Sequence, residues 1–435
     1  MLRYFIHIAL FLAVLWTSGQ VSVLVTLAQD KGEETASVNS PRALLIRRAE
    51  AGERLAQEQL ANAYATGQGV ELDQTQACIW WKRAAQQGSA AAQNELGYSY
   101  EHARGTVQDY SQALYWFRLA AEQGLAAAQF NLANIYQHDS ARDYSQAATW
   151  YRRSAEQGFA PALNNLAMLY QHGWGVSRDP SEAFKLLSQA AEAGDVSAQY
   201  NLGEAYVSGG GVKKDFVRGL DLLRKAADKG SSAAFNGLGY LYESGKGLPR
   251  NDTQAAAMYA RAAERGFARS QACLAFLYFE GRGVPQDFTQ AAKWFSRAAE
   301  QREVFGEAGL GRLYYSGQGL PRDYRKAAEW FRKAAERGLA VAQGNLGYLL
   351  EHGLGIGVDY VEAYKWYQLA AVGGYRPAED AMKSLAEVMT QQQLQEAKSR
   401  ASSLREQNRD IDGGTTWGGD AVESNIGSHT IAASR

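Results

Sequence analysis

The sequence predicts an all-α fold, a solenoid of stacked helix pairs, on three observations. A landmark recurs at a fixed period, each period holds two stretches of helical hydrophobic spacing, and glycine rather than proline punctuates the chain. The 435 residues include 44 Gly but only 7 Pro.

The landmark is a glycine closing an Ala-rich stretch. It stands at Gly52, Gly88, Gly124, Gly158, Gly194, Gly230, Gly266, Gly338 and Gly374, with Arg302 in its place once. The steps are 36 residues, except for 34 into Gly158. Nine complete units result, about 53-88, 89-124, 125-158, 159-194, 195-230, 231-266, 267-302, 303-338 and 339-374.

Each unit opens with one helix pattern. Ala56, Leu60 and Tyr64 recur at i, i+4 and i+8, the spacing of a single helix face. Ala92-Leu96-Tyr100, Ala128-Leu132-Tyr136 and Ala198-Leu202-Tyr206 repeat it. The residue after the leucine is always small: Ala61, Gly97, Ala133, Ala167, Gly203, Gly239, Ala275, Gly311, Gly347. Glycine inside a helix costs up to about 1 kcal/mol relative to alanine. Its repeated use predicts a neighbouring helix too close to admit a side chain. The pattern then stops at Gly-x-Gly, as in Gly67-Gln-Gly69 and Gly281-Arg-Gly283, because glycine ends helices in the left-handed conformation without strain.

The second helix starts at Asp73, Asp109, Asp143, Asp179, Asp215, Asp287, Asp323 or Asp359, with Asn251-Asp252 in the remaining unit. Such a side chain caps free N–H groups and suits the helix dipole. Ala113, Trp116, Phe117, Ala120 and Ala121 then trace the buried face, echoed by Ala327, Trp330, Phe331, Ala334 and Ala335. Ordering one unit costs roughly 50 kcal/mol, at about 1.5 kcal/mol per residue. One helix hairpin cannot recover that, so the units must stack into one continuous array.

The ends differ. Arg42 to Ala51 resembles a final second helix, and Pro377 to Met389 and Gln391 to Leu404 read as two closing helices within 375-405. Thr390 and Gln393 fit a capping box. Residues 406-435 read as a disordered tail and 29-40 as a linker. Residues 1-28 carry a basic start, a 13-residue apolar run from Tyr4 to Trp16, a polar break and a second apolar run. The first run is shorter than the roughly 20 residues a bilayer requires. The segment reads as a cleaved signal peptide, an uncleaved membrane anchor or a structural helix.

Net charge is −1, which predicts no nucleic-acid partner. The two cysteines, Cys78 and Cys273, fall in different units and read as small buried apolar residues rather than a disulfide. The Gly-x-Gly loops end helices instead of opening them, so helix capping is read there rather than phosphate binding. Four of the six histidines, His102, His138, His172 and His352, share one repeat position. Adjacent helices lie about 8–10 Å apart, while zinc takes nitrogens at about 2.1 Å. Helix C-terminal capping is therefore read there, with a pH-sensitive surface and a metal site as the alternatives. The repeated aspartates read as caps rather than catalytic carboxylates.

The pattern Ala-x-x-x-Leu-Gly-x-x-Tyr, Gly-x-Gly-Val, Asp-x-x-x-Ala-x-x-Trp-x-x-x-Ala-Ala-x-x-Gly resembles the Sel1-like repeat, a relative of the tetratricopeptide repeat. The resemblance covers about residues 42 to 405 and nine repeats. It implies a right-handed α-α superhelix with a concave face, and adaptor or scaffold roles without catalytic residues, metal or cofactor. The cysteine-rich branch joins its helices by disulfides and some of its members are linked to β-lactams; two lone cysteines fit it poorly. The third unit departs too, its loop shortened to Gln137-His-Asp-Ser-Ala-Arg142 without glycines.

Variable first-helix positions should line the concave side. Two residues after the core leucine stand Asn62, Tyr98, Asn134, Met168, Glu204, Tyr240, Phe276, Arg312 and Tyr348, with Asn94, Phe130 and Tyr200 as a second column. Tyrosine, phenylalanine and arginine suit a protein-binding hot spot. The alternative is packing against the next repeat. The expected function is a non-catalytic protein–protein interaction scaffold of the bacterial cell envelope. The expected location is periplasmic or secreted, or anchored in the inner membrane by residues 1-28, which would give the only membrane contact. The partner would be another protein, an envelope enzyme for example, or peptidoglycan. The alternatives are a peptidoglycan- or glycan-binding module, a β-lactam-interacting enzyme, and, from the sequon Asn251-Asp-Thr253, a eukaryotic lumenal adaptor.

Overall fold

The computed structural model describes residues 40–138 and 142–411. These form 21 helices and, among the described residues, no strand. An N-terminal helix, Pro41–Glu50, precedes nine helix pairs, and Pro377–Val388 and Gln391–Ile411 follow them. The first pair is Arg54–Thr66 with Gln74–Gln86, the last Ala340–His352 with Tyr360–Val372. Residues 1-28 and the linker through residue 39, the loop positions 139–141 and the tail beyond Ile411 lie outside this description. The helices cluster into two compact units parted between Asp195 and Val196, and each is an α-α solenoid. No described helix is long and apolar enough to cross a membrane.

Both kinds of helix end follow from the sequence. Every second helix is capped as expected: the side chain of Asp73, Asp109, Asp143, Asp179, Asp215, Asn251, Asp287, Asp323 or Asp359 accepts first-turn N–H groups at 2.9–3.0 Å. Gly67 ends its helix at φ 72°, where its N–H donates to Ala63 O at 2.8 Å. The second loop glycine has another reason. A Cβ on Gly105 would lie 1.9 Å from the Gln74 carbonyl oxygen, so the loop of one repeat rests on the opening turn of the preceding second helix. That contact accounts for the glycine without a bound phosphate.

The glycine after the core leucine answers an aromatic ring. A Cβ on Gly97 would sit 2.8 Å from Phe117, and one on Gly311 2.7 Å from Phe331. The close neighbour is thus the second helix of the same repeat, whose ring lies flush on the first helix. In the fifth repeat Leu223 replaces the ring, and Gly203 and Gly219 let the two backbones approach instead. Cys78 and Cys273 are buried and free, and burial pushes the Cys273 thiol up to about 12.

The closing helices form as the sequence indicates. Thr390 N–H donates to Gln393 Oε1 at 2.8 Å and Gln393 N–H to Thr390 Oγ1 at 3.3 Å, completing the capping box. The last helix runs on to Ile411, past the end its periodicity gave it.

Candidate functional site

All nine residues of the variable column are half-buried; none is enclosed and none stands fully free. Their surroundings differ. In the first unit, Asn62 Oδ1 accepts the Trp81 indole N–H at 3.0 Å. Asn134 Oδ1 accepts Tyr151 OH at 2.5 Å and Asn165 Nδ2 at 3.3 Å. Tyr98 packs on the His102 ring, 4.2 Å between centroids, beneath the Arg104 guanidinium at 5.4 Å. Met168 completes that set, half-buried on Ala160–His172.

In the second unit, Lys246 Nζ donates to Tyr240 OH at 2.5 Å. Phe276 meets Phe295 edge-on at 4.8 Å. The Arg312 guanidinium lies 4.2 Å over Phe279, and burial lowers its pKa. Tyr348 stacks on His352 at 4.2 Å. Glu204 is different: its carboxyl has no hydrogen-bond or ion-pair partner among the described residues, and desolvation alone pushes it up to about 7.

The two readings left open by the sequence therefore divide along the column. Asn62, Asn134, Phe276 and Arg312 have their functional groups engaged within the chain. The second column is mostly packing: Asn94 is buried and accepts Asn131 Nδ2 at 2.9 Å, and Phe130 lies against Tyr151 and Phe159.

A third column went unread in the sequence. Gln57, Gln93, Gln129, Gln271 and Gln343, near the start of first helices, are buried, and each donates Nε2 to a carbonyl at the end of the preceding second helix at 3.1 Å. Four of them also accept, at 2.7–2.8 Å, from Gln87, Gln123, Gln157 and Gln301 at the end of their own repeat. Where the first partner changes, so does the second. Phe235 meets Arg265, its guanidinium 5.0 Å over the ring, and Glu307 meets Arg337 in an ion pair at 3.5 Å. Where Leu163 takes the first place, Ala193 stands 30 residues on. Opposite Gly373, Gln343 Oε1 has no partner. The usable signal was a buried-side glutamine repeating with the array.

His102, His138, His172 and His352 all sit at first-helix ends, as expected. His352 Nδ1 lies 3.0 Å from the Tyr348 carbonyl, while the His172 ring stacks on Trp174 at 4.4 Å. Burial lowers the His172 pKa. Among the described residues no group of three or more His, Cys, Asp or Glu is placed to hold a metal ion.

The Sel1 repeat family matches the chain nine times, at residues 54–89, 90–125, 126–159, 160–195, 196–231, 232–267, 268–302, 305–339 and 340–375. These boundaries fall within a few residues of those set by the glycine landmark. A protective antigen present in uropathogenic Escherichia coli strains, whose crystal structure displays an SLR fold, is 31% identical, with a TM-score of 0.52; the match covers 89% of this chain and 91% of that one. A Sel1 repeat protein from Oxalobacter formigenes is 32% identical over 67% of this chain and 86% of its own, also with a TM-score of 0.52. No curated protein matches.

Proposed function

This chain belongs to the Sel1 repeat family, and on that premise we propose that it recruits or inhibits another protein through the first-helix column. The fold is a tetratricopeptide-like scaffold of a kind that commonly mediates protein–protein interaction, and the family is generally non-catalytic. The observation that carries the proposal is the half-buried column itself: nine side chains at one repeat position, varied in chemistry, each reaching solvent. A surface needed only for stacking would be enclosed, as the glutamine column is. We further propose export to the bacterial envelope. The basic start and apolar runs of residues 1-28 support this, and N-terminal sequencing of the protein recovered from fractionated cells tests it.

The adaptor reading is tested by crosslinking in an envelope extract. The comparison is a variant with Tyr98, Tyr240, Phe276 and Tyr348 changed to alanine, checked for unchanged helicity. A protein captured by the wild type and lost by the variant supports the column as the site. Capture that is equal in both overturns it.

A further inference from the structure

The protein itself shows how a cation is held beside this column. Six residues after Tyr98 and after Tyr240, the middle residue of the Gly-x-Gly loop folds back: Arg104 lies over the Tyr98 ring at 5.4 Å and Lys246 over the Tyr240 ring at 5.1 Å. Six residues after Glu204 the same place holds Gly210, which offers no side chain. The loop cation is missing beside the one column residue that bears a negative charge.

A second glycine, on the other side, makes room for the carboxylate itself. On the next first helix, Ser232–Ser244, the position facing Glu204 is Gly237; Asn131, Asn165, Asn201 and Asn345 occupy it in other repeats. Glu204 Oε1 would lie 2.9 Å from a Cβ built there, with Leu223 at 3.4 Å. Tyr200, one turn earlier on the same helix, is the titratable neighbour that feels its charge.

Other half-buried carboxylates of this unit are paired. Glu243 meets Arg282 at 3.0 Å, Glu303 meets Arg269 at 3.1 Å, and Glu362 meets both Lys365 and Arg400. A lone carboxylate withdrawn from water costs free energy unless a cation meets it. A single carboxylate also supplies at most two of the six to eight oxygens that calcium takes.

Resting on the adaptor reading, we propose that Glu204, between Gly210 and Gly237, is the receptor for a lysine or arginine side chain projecting from the partner protein. The ligand's cation fills the place that Arg104 and Lys246 fill in their own repeats, and its charge-assisted hydrogen bond to the carboxylate replaces the missing intramolecular one.

The test is a random peptide display library panned on the immobilised full chain, in three forms: wild type, Glu204→Gln and Gly210→Lys. Gly210 lies outside the left-handed region, unlike Gly209 and Gly211, so lysine fits its backbone. The expected wild-type binders share one lysine or arginine. Replacing it by norleucine, or binding to either variant, weakens the best peptide by about tenfold or more. In Gly210→Lys the chain's own ammonium occupies the site. Peptides that bind without a shared cation, or bind Glu204→Gln as tightly as wild type, overturn this proposal and leave the adaptor reading standing. A library yielding no wild-type binder overturns it too. If the four-alanine variant also keeps its captured partner, the column reading falls with it.

Discussion

The glutamine column and the column from Asn62 to Tyr348 lie five residues apart on the same helices, and both vary along the array. They vary differently. At the glutamine column Gln is answered by Gln 30 residues on, Phe by Arg and Glu by Arg, with Gln343 opposite Gly373 the exception. In the other column Glu204 has no counterpart among the described residues. Variation matched by a partner inside the chain preserves the stack. Unmatched variation, especially where it is energetically costly, marks a position answering to something outside it.

The largest expected effect breaks that comparison directly. Glu204 titrates near 7 when folded and near 4.5 when unfolded. Between those values the folded chain holds a proton the unfolded chain has released, so this group's contribution to stability falls as pH rises through the window. Glu204→Gln should therefore stabilise the protein by about 2–3 kcal/mol at pH 8 and by little near pH 4.5. Urea unfolding at the two pH values measures this, and equal stability of variant and wild type at pH 8 would mean the carboxyl is solvated.

A smaller effect tests the paired column. Gln93→Leu removes one hydrogen bond from the Ala85 carbonyl, which keeps that of Gly88 N–H, and one acceptor from the Gln123 amide, which keeps the Leu119 carbonyl, at a cost of about 1.5 kcal/mol. Adding Gln123→Ala, which copies the pair Leu163 and Ala193, should recover about 1 kcal/mol. Strict additivity in the double-mutant cycle would show that the pairing is coincidental.

The smallest effect concerns a position in neither column. Arg302 stands in the left-handed region at φ 59°, where the sister positions carry glycine. Arg302→Gly should raise stability by about 0.5–1 kcal/mol, since the relief of backbone strain exceeds the entropy glycine loses on folding. A lower melting temperature would show that the arginine side chain holds the turn.

The repeat frame was almost wholly legible. Asp caps, closing glycines and the Ala-Leu-Tyr face are local signals, each read from within a dozen residues, and the structure places the helix ends where they predict. The ring against Gly97 was legible only as a need for space, because which ring fills it depends on tertiary packing. The glutamine pairs were missed because a glutamine alone reads as surface and its partner lies 30 residues away. The column at Asn62 through Tyr348 was legible as variable. Whether each side chain was already engaged was not, since that depends on what the facing elements offer. Asn134 and Glu204 look equally available as letters, and only one lacks a partner.

The glutamine joint also bears on how such an array can change length. Both side chains of a pair belong to one repeat, while the link to the preceding repeat goes to a backbone carbonyl, which any residue presents. A repeat copied or lost whole carries its matched pair with it and meets the same carbonyl in its new neighbour. Duplication therefore asks for no compensating substitution at this joint, and the copies are free to diverge where nothing inside the chain answers them.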